Sequence, residues 1–323
     1  MKKYPKLVLG ILLVTGIVIL SLFLVKPKTT SKAYLNSEKN KFSLAFDIKN
    51  QDKDEAQKLL EKLNLPANTT DGIQFELDSA TSTKLAFTSP LTINLSFLNN
   101  RLSFSTENQQ FKGKHFIPPK NVKIPQNTNI AIFAENFNGI VSKNFKLQQN
   151  LEDWLNANFK SESGQFFIAF GENRNFVIAQ KSQTSIDFST LAGIVSETEQ
   201  QELYKTESDN EVNYHLLKLP GDNKEATLVL FEAEDLTFLT SSLDTAKEIT
   251  KMYKEGESSK GFLEGEFEPI STAILISNSK DSNSDSIELV TSSASKIKPF
   301  ISKIKEARII ISQNRLSGSL ETL

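Results

Sequence analysis

The chain contains no cysteine. Disulfides, thiolate metal sites, redox dithiol pairs and cysteine nucleophiles are therefore excluded, as is an anchor through a lipidated cysteine. Histidine is nearly as scarce: His115 and His215 are the only two, too few for a histidine-rich metal site. No G-x-S-x-G, P-loop or G-x-G-x-x-G pattern occurs, which argues against the serine hydrolases, nucleotide triphosphatases and dinucleotide enzymes that need those turns. Tryptophan is limited to Trp154, whereas phenylalanine supplies 23 residues against five tyrosines. That bias suits sheet cores that need area without a polar handle.

What is present is enough to fold. Hydrophobic residues make up 38% of 323 and charged residues 24%, outside the composition of a disordered chain. The length allows one large domain or two of medium size.

The strongest local signal is at the start. Met1-Lys2-Lys3-Tyr4-Pro5-Lys6 is a basic stub, and Leu7–Val25 then runs nineteen residues without a charge. As a helix this spans about 28 Å, close to the hydrocarbon thickness of a bilayer. A cleaved signal peptide has a shorter apolar region and a small-residue cleavage site. Here Lys26-Pro27-Lys28 follows, and the nearest small-x-small triplet, Ser31-Lys32-Ala33, lies well beyond the run. The expectation is an uncleaved single-pass helix, residues 7–25, with the lipid bilayer as its partner. Lysines flank both sides, so charge barely sets orientation. The basic stub favours a cytoplasmic N-terminus and an extracytoplasmic C-terminal bulk at the cell membrane.

Charge is unevenly spread. Residues 1–32 carry six lysines and no acid, leaving 31 basic against 39 acidic residues in the remainder. An acidic exported bulk argues against nucleic acid as a partner.

Organisation follows from punctuation. Residues 1–32 are read as stub, transmembrane helix and the start of a stalk; the polar stalk continues to about Asn40. Residues 33–117 form a first α+β domain, 118–128 a proline-rich linker with Pro118, Pro119 and Pro125, and 129–323 a second α+β domain. Period-two alternation predicts strands at Phe42–Ile48, Ile73–Asp78, Thr92–Phe97 and Leu102–Ser105, the last two joined at Asn99-Asn100. The same pattern predicts strands at Ile130–Phe133, Gln165–Phe170, Asn175–Gln180, Val212–Leu219, Thr227–Phe231, Leu236–Leu239, Ala273–Ile276, Arg308–Ser312 and Leu316–Leu320. Helical spacing of apolar residues marks Ala56–Leu63, Leu147–Leu155, Leu191–Val195, Ala246–Tyr253 and Ile297–Ile304. Helix followed by hairpin occurs three times, near 52–106, 147–180 and 294–320. The expected fold class is α+β: antiparallel sheets with one polar face and helices on the other, built from degenerate internal repeats.

One arrangement resembles a known group. Ile124-Pro125 leads into Asn129-Ile130-Ala131-Ile132-Phe133, then a helix and a hairpin; later Thr227–Phe231 leads through Leu236–Leu239 and Ser241-Ser242 into a helix. This is similar to uncharacterised bacterial membrane-anchored extracytoplasmic proteins assigned to domains of unknown function. The resemblance covers about half the chain and carries no chemical motif. It implies an envelope protein and implies no activity.

Chemistry-bearing candidates are few. Asp281-Ser282-Asn283-Ser284-Asp285 imitates the start of a calcium loop, but the sixth position is Ser286 where glycine is needed and the twelfth is Ser292 where glutamate is needed. Glu264, Glu266 and Glu268 alternate, so on a strand they would share one face as a solvated edge, a metal face or a general acid/base pair. Ser293-Ala294-Ser295-Lys296 matches S-x-x-K and Ser208-Asp209-Asn210 matches S-D-N, but in the wrong order and without K-T-G, so helix capping and a polar turn are the plainer readings. His115 reads as solvated in a basic linker, His215 as a satisfied sheet histidine and Trp154 as core. Neither a cofactor nor a catalytic or metal site is assigned. Three functions stay open: a non-catalytic interaction or scaffold module with an envelope protein partner, a binding module for an apolar or polymeric ligand, and a carboxylate hydrolase using Glu264, Glu266 or Glu268.

Overall fold

Asn100 takes φ 64°, the left-handed conformation that asparagine tolerates, and turns β4 (Leu91–Leu98) into β5 (Arg101–Ser105). This hairpin, expected from its paired asparagines, belongs to a computed structural model. The structure describes residues 31–38, 41–48, 53–62, 73–76, 91–98, 100–106, 111, 114–119, 122–135, 137, 141–142, 145, 147–159, 163–171, 175–182, 186, 188–195, 204–209, 211–219, 226–255, 259–263, 268–277 and 302–323. The expected membrane helix, residues 7–25, lies outside them. Among the described residues no helix is long and apolar enough to cross a membrane.

The described elements group into two compact units, both built on antiparallel sheet with a few helices, so the α+β class holds. In the first unit β1 (Lys32–Glu38), β2 (Lys41–Asp47), β3 (Ile73–Glu76), β4 and β5 are joined by three C-terminal strands, β15 (Ile270–Ser277), β16 (Ile304–Ser312) and β17 (Leu316–Thr322). The order is β15-β16-β17-β5-β4-β1-β2-β3. The C-terminal hairpin, which the sequence reading put with the second domain, pairs through Leu320↔Leu102 and Gly318↔Phe104 with β5. Ile304, expected to end a helix, opens β16 instead, and Ser302 and Lys303 before it form a turn; residues 297–301 of that expected helix lie outside the described residues. Ile93, Leu95, Phe97, Leu102 and Phe104 are buried while Ser96, Arg101 and Ser103 are exposed, the period-two pattern of a sheet covered on one face. Helix α1 (Lys53–Lys62) turns Ala56 and Leu59 inward.

Gly318 is required by close approach. A Cβ there would stand 2.5 Å from Phe104 Cζ and would also collide with the Arg308 carbonyl oxygen. The Phe104 ring occupies the space that a side chain at 318 would need.

The second unit holds β6 (Lys123–Pro125), β7 (Thr128–Ala134), helix α2 (Gln149–Asn158), β8 (Gln165–Phe170), β9 (Asn175–Lys181), helix α3 (Ser189–Val195), β10 (Tyr204–Asp209), β11 (Val212–Leu219), β12 (Ala226–Ala233), β13 (Leu236–Thr240), helix α4 (Leu243–Glu255) and β14 (Ser259–Gly261). Its main sheet runs β10-β11-β12-β13-β9-β8-β7, and β6 pairs with β14. The proline-rich linker therefore carries a strand of its own, with Pro125 at its end, where a missing N–H is tolerated.

Here the expectation of one polar sheet face is corrected. Every residue of β8 and β13 is buried, as are Thr128–Phe133 of β7 and Phe176–Gln180 of β9. These strands are covered on both sides, so their apolar residues run consecutively instead of alternating. One face carries Phe231, Phe238, Ala179, Phe166 and Phe133 in register across five strands. Tyr214 joins the row, its ring 5.4 Å from Phe231. Helix α4 covers this face: Tyr253 meets Phe238 at 5.2 Å, and the Tyr214 hydroxyl donates to Thr250 Oγ1 at 2.9 Å. Ser242 starts α4 by accepting the Thr245 N–H on its Oγ.

The opposite face carries His215, Leu230, Leu239, Ile178, Phe167 and Ile132 in register. Phe137 packs on Phe167 at 5.6 Å, and Phe188, just before α3, stacks on His215. Gln165 and Gln180 also point to this side, as a buried polar pair.

A topological pattern recurs. A leading strand pairs antiparallel with the first strand of a later hairpin in β1-β4-β5, β7-β8-β9 and β15-β16-β17.

Candidate functional site

Glu264, Glu266, Asp281 and Asp285 lie outside the described residues. Glu268 is exposed in a bend between β14 and β15 and is not in a strand. Among the described residues no three histidine, aspartate or glutamate side chains come together as metal ligands. His115 is half-buried with its Nε2 shielded from water, which corrects the solvated reading.

The feature with the most developed chemistry is the outer edge of the second sheet. It was missed in the sequence. Tyr204-Lys205-Thr206-Glu207-Ser208-Asp209 has three charges in six residues, and its last two residues read, with Asn210, as a polar turn. In the structure all six pair with β11 in unbroken register, from Tyr204↔Leu217 to Asp209↔Val212. Glu211 (φ 65°) turns the chain, and Ser208 Oγ donates to Asn213 Oδ1 at 2.6 Å across the turn. The signal available was Tyr204 and Thr206, two good strand formers spaced to share a face.

Alternation gives this strand two unlike faces. Tyr204, Thr206 and Ser208 point to the side that carries His215. Lys205, Glu207 and Asp209 point to the other. Lys205 Nζ lies 2.8 Å from Glu207 Oε1, and this hydrogen bond, with the charge behind it, holds the Glu207 carboxyl below the usual carboxylate value.

On the first face a short chain of groups fastens the strand down. Thr206 Oγ1 donates to the Tyr204 hydroxyl oxygen at 3.1 Å, and that hydroxyl lies 2.6 Å from His215 Nδ1. The phenol–imidazole bond carries one proton, on the phenol oxygen in one imidazole tautomer and on Nδ1 in the other. The Phe188 ring stacks on the imidazole at 4.3 Å and 15°, and behind it stands Trp154, whose Nε1 donates to Thr190 Oγ1 at 2.8 Å. Burial disfavours the charged imidazolium, so His215 titrates below its ordinary value.

This arrangement does not make a relay. The Thr206 hydroxyl gives its proton to the phenol, so it is no nucleophile aimed at a base, and Nδ1 is engaged by Tyr204. His215 is the satisfied sheet histidine that its mid-strand position implied. What the cluster does is fasten the strand to its neighbour while Lys205, Thr206, Ser208 and Asp209 stay exposed. No protein-family model, curated protein or solved structure matches the chain, and the likeness to membrane-anchored envelope proteins rests on sequence arrangement alone.

Proposed function

We propose that the protein is a membrane-anchored, extracytoplasmic interaction module of a bacterial envelope, non-catalytic, that meets its protein partner along β10. One observation carries the reading. Among the described residues β10 is the last strand of its sheet; it pairs with β11 without a bulge or proline and is braced by the Thr206–Tyr204–His215 chain. An edge strand offers a row of backbone donors and acceptors that a partner strand can complete. The uncharged run Leu7–Val25 supplies the anchor, with the N-terminus inside and the bulk outside. The recurring strand-then-hairpin order supports an origin by degenerate internal repetition.

The test is made in intact cells with the full chain. A photo-crosslinking amino acid replaces Thr206, and in a control it replaces Ser103, exposed on the other unit. A protein adduct is expected from position 206 and not from 103, and external protease is expected to degrade residues 33–323. Equal adducts at both positions, or none at 206, removes the edge from consideration; complete protection from protease removes the extracytoplasmic placement.

A further inference from the structure

We infer that the partner of β10 is β10 of a second copy, paired antiparallel about a two-fold axis through Thr206; this rests on the interaction reading above. Among the described residues no strand lies beyond β10 in its sheet. Exposed edges are commonly guarded by proline, a bulge or charged side chains, lysine above all. β10 has neither proline nor bulge, and its lysine stands two residues from Glu207, a charge of opposite sign that a second copy can set opposite it.

Symmetry restricts the registers. Two copies extend one sheet through a two-fold axis perpendicular to it, which keeps like faces together. Residues opposite each other must then differ by an even number, so the axis passes through a residue. An axis at Lys205 sets the two lysines against each other, and one at Glu207 sets the two glutamates against each other. An axis at Thr206 sets Lys205 opposite the second copy's Glu207 and Glu207 opposite its Lys205, with Tyr204 opposite Ser208 and the two Thr206 residues face to face. Of the three, that register has two opposite-charge pairs and no like-charge pair. The charges thereby select the register, while backbone hydrogen bonds supply the attraction. Two copies tethered in one membrane also meet at a raised effective concentration.

The absence of cysteine makes the register directly testable. Opposed residues in an antiparallel pair have Cα atoms about 4.5–5.5 Å apart, within the range a disulfide spans. Full-length Thr206→Cys in detergent, mildly oxidised, is therefore expected to give a disulfide-linked dimer. Ser208→Cys alone is not, because its opposite residue is Tyr204, whereas Tyr204→Cys combined with Ser208→Cys is. Sedimentation of the uncrosslinked chain is expected to show a dimer. Lys205→Glu or Glu207→Lys weakens it by about tenfold through two like-charge pairs, and the double swap restores it. The fluorescence of Trp154 checks that each variant is folded. A monomer at all concentrations, Ser208→Cys linking as readily as Thr206→Cys, or a double swap no tighter than either single variant each overturns the self-pairing. An adduct in cells between position 206 and a different protein does so too, while leaving the interaction reading intact.

Discussion

Gln165 and Gln180 face each other across β8 and β9 in the core of the second unit, Gln165 Nε2 donating to Gln180 Oε1 at 2.8 Å. Gln165 is fully buried and uses both ends of its amide. Its Nε2 also donates to the Phe159 carbonyl at 3.2 Å, and its Oε1 accepts the Phe137 N–H at 2.7 Å. One side chain thus ties the end of α2 and the segment after β7 to the middle of the sheet. Gln165→Leu leaves three buried polar groups without their partner. A loss of about 2–4 kcal/mol in unfolding free energy is expected, measured by urea denaturation with Trp154 as reporter. A loss under about 1 kcal/mol would mean that water replaces the amide at little cost.

Much of this frame was legible. Gln165–Phe170 and Val212–Leu219 begin and end where turn residues and apolar spacing put them. What was not legible depends on partners distant in the chain. β1 reads as a stalk because Lys32, Asn36, Ser37 and Glu38 look solvated; its strand exists because β2 and β4 flank it and supply its ladder. β7 and β8 read as one-faced because a strand's own residues do not say that Phe116 and Phe262 will cover one side and Phe137 the other. β10 was lost for the opposite reason. At an edge, charge is tolerated, so Lys205 and Glu207 hide the strand that Tyr204 and Thr206 form.

The clamp on β10 is sensitive to pH. His215 titrates below the ordinary histidine value of 6.5 because burial penalises its charged form. Its contribution is complete above the unfolded value and declines as pH falls through that value toward the folded one, since the unfolded chain takes up the proton first. His215→Gln removes that titration. The stability difference between wild type and variant is expected to shrink between pH 7.5 and pH 5, read from urea midpoints. A difference independent of pH would remove the histidine from the acid response.

Gly318→Ala tests the close approach in the first unit. The added Cβ meets the Phe104 ring and the Arg308 carbonyl, and only the ring can move. Overpacking of this kind costs about 1–3 kcal/mol. Thermal unfolding of Gly318→Ala should fall accordingly. Phe104→Leu in the same chain should recover part of the loss and no more, since the carbonyl stays in place. Full stability in Gly318→Ala would show that β17 shifts freely against β5 and β16.

Tyr253 joins α4 to β6, and its behaviour is expected at the alkaline end. Its hydroxyl accepts the Lys123 N–H at 2.9 Å, while Lys123 Nζ reaches back to the Tyr253 carbonyl at 3.3 Å and stands 5.3 Å from the ring centre. Burial pushes the phenol well above the usual tyrosine value, and the neighbouring Glu234 and Asp235 push it the same way. A folded value raised above the unfolded one contributes stability that is complete below pH 10 and is lost as pH rises past it, because the unfolded phenol ionises first. Tyr214 shifts in the same direction through burial, so part of the alkaline response belongs to it. Tyr253→Phe leaves the Lys123 N–H without its acceptor, a cost of about 1–3 kcal/mol at neutral pH. Between pH 9 and pH 11 the variant should lose less stability than wild type, and Tyr214→Phe in addition should flatten the slope further. Equal slopes in all three chains would mean that the Tyr253 phenol ionises in the folded protein as readily as in water.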